Sequence, residues 1–96
     1  MKSIIINPHY DIKTDVQYQA FATRFANEQI NELVTAFNRE VHNSGIVSIR
    51  AFYDKALIDE FICRGIDISS VYDGRTINFD HHVSYDSQAH RLVTID

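Results

Sequence analysis

Between Asn27 and Gly65 the chain carries two runs of helical periodicity, and each closes on a glycine followed by an isoleucine. Ile30, Leu33, Val34, Phe37 and Val41 fall at offsets of three, four, seven and eleven from Ile30, which gathers them on one stripe of a helix. Glu28, Asn31, Glu32, Thr35, Asn38 and Arg39 take the other face. Asn27 is placed to cap the start, because its short amide can accept from the free N–H groups of the first turn. Glu28 then lies near the positive end of the helix dipole. Gly45-Ile46 fits a left-handed glycine stop in which Ile46 touches Val41. The second run, about Ser48 to Arg64, repeats the device. Ser48 can cap it, and Gly65-Ile66 ends it with Phe61 at the matching inner position.

The second helix is the greasier of the two. Ile49, Phe52, Tyr53, Ala56, Leu57, Phe61 and Ile62 cover more than one narrow stripe, so it packs on two sides or offers an apolar edge to a partner. Lys55 with Asp59 and Glu60 with Arg64 stand four apart, and each such pair adds only about 0.2–0.5 kcal/mol.

Around this pair the pattern is mixed. Ser3 to Ile6 reads as a short buried strand punctuated by Asn7-Pro8. Residues 15–26 fit a helical face through Tyr18, Phe21, Ala22 and Phe25, but they also alternate through Val16, Tyr18, Ala20 and Ala22. Helix is preferred because Ala and Gln are poor strand formers. After Gly65 the period changes to two. Ile66, Ile68 and Val71 lead to Asp73-Gly74, a turn dipeptide able to close a two-residue hairpin. Ile77, Phe79, His81, Val83 and Tyr85 then alternate with polar residues as one half-buried strand. Asp86 to His90 is a polar turn, and Arg91 to Ile95 is a returning antiparallel strand. The expected fold is α+β in two layers. Two or three helices pack on a small antiparallel sheet built from the C-terminal hairpin and the short N-terminal strand.

Ninety-six residues make one domain, residues 1–96, with a small core. The composition, 45% hydrophobic and 23% charged, is ordinary for a globular chain. The single Cys63 cannot form an internal disulfide, and no stretch reads as a signal peptide, which together point to a reducing cytoplasm. The Ile4-Ile5-Ile6 run is far too short to span a membrane. The net charge of −4 resides mostly in the second half, and no basic block offers affinity for nucleic-acid phosphates.

Few residues suggest chemistry. Asp80-His81-His82 resembles the short motif that names the DHH phosphoesterases. The likeness ends at those three residues, and the further aspartate and histidine motifs of those enzymes have no counterpart, so no kinship is assigned. Five histidines invite a metal, but no HxH or i,i+4 pair fixes two ligands. His81 and His82, as strand neighbours, face opposite ways, with His81 on the apolar side. Cys63 falls in the last turn of a helix, where a thiol pKa is not depressed, and is expected as a small buried hydrophobe. No nucleophile elbow or phosphate cradle is present in the sequence, so no enzyme activity and no cofactor is expected.

The reading that follows is a non-enzymatic cytoplasmic interaction domain of bacterial or phage type that binds another protein or itself. Phe52, Tyr53, Ile58, Ile62 and Tyr72 are the candidate interface, as an apolar excess beyond what one small core can hide. The alternative is a winged-helix-like DNA-binding regulator, since helix, glycine turn, helix and hairpin is the order of that motif. Ser48, Arg50, Lys55 and Arg91, with Arg64 in support, would then touch DNA. Asp54, Asp59 and Glu60 on the same helix cancel much of that charge.

Overall fold

The structure, a computed structural model, describes residues 3–5, 15–41 and 48–96, excepting the side chains of residues 3–5, 48 and 49. The elements in order are β1 (Ser3–Ile5), α1 (Val16–Ala26), α2 (Ile30–Val41), α3 (Ser48–Cys63), β2 (Thr76–Asn78), β3 (Val83–Asp86) and β4 (Arg91–Thr94). The fold is α+β, with three helices packed against small antiparallel β-structure.

The ambiguous segment is a helix. Asp15 caps α1 by accepting from the Gln17 N–H at 2.7 Å. Tyr18 and Phe25 are buried, and Phe21 and Ala22 pack against the same core.

Asn27 caps the other way from the sequence expectation. It ends α1 rather than starting α2, and its side-chain amide donates to the Thr23 carbonyl at 2.9 Å. The reason is that α1 runs through to Ala26, leaving only Asn27–Gln29 as the turn. The entry to α2 is instead half of a capping box, in which the Gln29 N–H donates to Glu32 Oε1 at 2.7 Å.

The α2 stripe faces inward. Leu33 and Phe37 are fully buried, and Ile30, Val34 and Val41 are partly buried against them. The first glycine stop, Gly45-Ile46, falls outside the described residues. So does the N-cap of α3, because Ser48 is the first helical residue and not the flanking one.

The second stop is a Schellman motif. Gly65 has φ +75°, its N–H donates to the Ile62 carbonyl at 2.9 Å, and the Ile66 N–H donates to the Phe61 carbonyl at 3.0 Å. Phe61 and Ile66 are both buried, which supplies the apolar contact of that motif. A methyl group at Gly65 would meet only His90 Nε2, at 3.9 Å. Gly65→Ala therefore tests the backbone angle alone, and is expected to cost about 1–2 kcal/mol in denaturant unfolding.

The β-region departs from a single alternating strand. The chain leaves the ladder between Asn78 and Val83, giving β2 and β3 in place of one long element. Asn78 Oδ1 accepts from the Asp80 N–H at 2.7 Å and bends the chain there. Beyond the bend, the Asn38 side chain from α2 grips Val83. Its Oδ1 accepts from the Val83 N–H at 2.8 Å, and its Nδ2 donates to the Val83 carbonyl at 3.0 Å.

β1 pairs antiparallel with β2, with Ile4 opposite Ile77, and β3 pairs antiparallel with β4, with Tyr85 opposite Leu92. The N-terminal strand and the C-terminal hairpin thus form two ladders rather than one three-stranded sheet. Ile77, Phe79, Val83 and Leu92 turn inward and close the core against Phe37, Leu57 and Phe61. His81 lies in the bend and is exposed, not on the apolar side.

The Asp73-Gly74 turn is wider than the two residues expected. Tyr72 bridges Ile77, and Asp73 Oδ1 holds the four-residue loop by accepting from the N–H groups of Arg75 and Thr76 at 2.9 and 2.7 Å. The preceding segment lies beside β4. The Asp67 N–H donates to the His90 carbonyl and the Leu92 N–H to the Asp67 carbonyl, each at 2.9 Å.

Candidate functional site

α3 is the middle of the molecule, with α1 packed along it, α2 against it and the strands beyond. That placement decides what its apolar residues can do. Ile58 is 0% exposed and belongs to the core, so it is withdrawn as an interface residue. Tyr53 is clasped edge-on by Phe21 and Phe25 of α1, with ring centroids 5.2 and 5.0 Å away. Phe52 and Tyr72 are half-buried against the core. Ile62 alone of the five is exposed, at 49%. The structure therefore does not bring the five together as one patch, because α1 and the returning segment 66–72 cover faces that the sequence left open.

Ile62 shares a stripe of α3 with Lys55 and Asp59, and a polar lattice runs along it. Tyr18 Oη donates to Asp59 Oδ2 at 2.5 Å, and Lys55 Nζ donates to Asp59 Oδ1 at 2.6 Å. Lys55 Nζ also stands 5.8 Å from the centre of the Tyr72 ring, a cation–π distance. Burial, followed by the bond to Asp59, pushes the Tyr18 phenol well above its ordinary range, so it acts as a fixed donor.

The cations of the DNA-binding alternative are each engaged locally. Arg50 reaches Glu40 at 3.4 Å and Lys55 reaches Asp59. Arg91 lies on the exposed side of β4, where its charge acts on Asp67. Ser48 opens α3. Arg64 bonds Glu60 at 2.7 Å, and its Nη2 donates to the carbonyls of Phe25 and Glu28 at 3.0 and 2.6 Å. Phe25 lies in the last turn of α1 and Glu28 in the turn that follows, so Arg64 at the end of α3 ties down the exit of α1.

The described histidines, His81, His82 and His90, serve as ties. His82 bonds Asp96 through both its backbone N–H and its ring Nδ1, and His81 stands 3.8 Å from the same carboxylate. His90 Nε2 lies 3.1 Å from the Arg64 carbonyl, which can only accept, so in the neutral ring Nε2 donates and Nδ1, 2.8 Å from Tyr85 Oη, accepts. Among the described residues no group of three or more His, Cys, Asp or Glu is placed to hold a metal ion. No helix of the described residues is long and apolar enough to cross a membrane. Cys63 is exposed and not buried, because it follows Ile62 on the outward side of the last turn of α3.

A shallow polar trough of about 290 Å³ runs between the end of α1 and the outer face of α2, lined by Arg24, Glu28, Thr35 and Arg39 among others.

Asp54, which the sequence sets among the charges of an exposed helix face, is 1% exposed. Its helical neighbours at three, four and seven residues on, Leu57, Ile58 and Phe61, are all core residues. That spacing was the available signal.

Comparison with protein-family models, with curated proteins and with solved structures finds no match.

Proposed function

We propose that this chain is a non-enzymatic interaction domain that binds a protein partner, or a second copy of itself, through the outward edge of α3 around Ile62. The observation that carries the reading is Ile62 itself. It is a large apolar side chain left half exposed on a helix whose other large apolar residues, among those described, are buried or half-buried. The Lys55–Asp59 and Glu60–Arg64 pairs flank it, giving an apolar centre with a polar rim. The lone cysteine fits a reducing, cytoplasmic setting. DNA binding draws less support, since Arg50, Lys55 and Arg64 already bond acids of the same fold.

The test is sedimentation equilibrium at micromolar concentration, paired with capture of binding proteins by the immobilised chain. Ile62→Glu is expected to weaken the association by about tenfold or more while leaving the melting temperature unchanged. A chain that stays monomeric, and whose captured proteins are the same with Ile62→Glu, contradicts the reading.

A further inference from the structure

We infer that Asp54 is a proton-held latch at the joint of α2 and α3: its carboxyl is carried as the neutral acid, and loss of that proton loosens α2 from α3. The group is 1% exposed, and among the described residues neither Oδ1 nor Oδ2 has a hydrogen-bond partner. A carboxylate deprived of both water and donors is strongly disfavoured in the ionised form.

The charges that act on it come from both helices. Glu40 of α2, itself buried, opposes ionisation, and Arg50 of α3 favours it. Arg50 also serves Glu40, at 3.4 Å, so its charge is shared. Burial has the largest influence, Glu40 adds to it and Arg50 opposes it, and the Asp54 carboxyl is pushed up to about 8. The neighbouring Tyr53 phenol is likewise raised, first by burial. Arg24 of α1 opposes that rise, while Glu40, Glu28 and Asp54 add to it.

The sign follows from linkage. With α2 opened the carboxyl meets water and titrates near the ordinary aspartate value of about 3.9. With α2 closed it titrates near 8. Closure therefore takes up a proton between those limits. The closed form is most favoured at the acid end, loses roughly tenfold in its equilibrium advantage for each pH unit as pH rises, and levels off above the upper value. α2 is the element to release, because it meets α3 far less extensively than α1 does.

The experiment is amide hydrogen exchange of α2, corrected for the intrinsic rate, at about pH 6 and about pH 8, in the parent chain and in Asp54→Asn. Protection of the α2 amides is expected to fall roughly fiftyfold between the two conditions in the parent. It is expected to stay level in Asp54→Asn, which keeps the shape without the ionisation. Level protection in the parent, or the same slope in Asp54→Asn, overturns the inference. If Asp54→Asn does not fold, the carbon-13 titration of the Asp54 carboxyl in the unaltered chain decides. A midpoint near 8 supports the latch, and one near the ordinary ~3.9 overturns it.

Discussion

Phe37→Ala is expected to lower the free energy of unfolding by about 3–5 kcal/mol. Phe37 is completely buried and lies at the centre of the α2 stripe, with its ring 4.8 Å from that of Phe79. It therefore joins the helical layer to the segment between β2 and β3. Truncation removes the transfer energy of the ring and leaves a cavity walled by residues of several elements, which cannot all collapse inward together. A domain of this size has only about 5–15 kcal/mol in total. Thermal unfolding should show the loss as a drop of more than about 10 °C in melting temperature. A drop of a degree or two would mean that the stripe does not pack as described.

Asn38→Ala is expected to cost about 2–4 kcal/mol, a large effect for a residue on the polar side of its helix. The Asn38 amide supplies both a donor and an acceptor to the backbone of Val83, a residue that is itself buried. Removing it leaves an N–H and a carbonyl without partners where water has poor access, and each such loss costs roughly 1–3 kcal/mol. Asn38→Asp is not expected to restore the stability, since it keeps the acceptor but presents a second oxygen to the Val83 carbonyl. Urea unfolding measures both, with a shifted midpoint and an unchanged slope as the expected pattern. A cost below about 0.5 kcal/mol, within the range of ordinary surface substitutions, would show that β3 is held by its ladder alone.

These two residues also mark where sequence reasoning works and where it stops. Phe37 was legible because α2 has a single apolar stripe, and a single stripe has one way to face a core. The Gly65-Ile66 stop was legible for a similar reason, since its hydrogen bonds and its apolar contact are local. Asn38 was not legible as a clasp, because its partner lies 45 residues away. The alternation of apolar residues from Ile77 to Tyr85 runs straight across the bend that Asn78 and Asn38 impose. Periodicity records which face a residue prefers, not whether the ladder is continuous.

α3 shows the same limit in another form. Its apolar residues cover several faces, so the sequence could not say whether the surplus was surface or core. α1 settles most of it by taking Tyr53, while Ile58 is sealed inside, which leaves Ile62 as the exposed remainder among the described residues of α3. Asp54 escaped notice because an acid on a helix is ordinarily a surface residue.

The central claim is that α3 is the enclosed organising helix, so that its middle opens only when the whole molecule does. Native-state hydrogen exchange at a fixed acidic pH, across a series of low denaturant concentrations, tests this most directly. The amides of Leu57, Ile58 and Phe61 should be the slowest in the chain, with an opening free energy and denaturant slope equal to those of global unfolding. Exchange of those three amides as fast as those at the exposed start of α1, with little dependence on denaturant, would contradict the account.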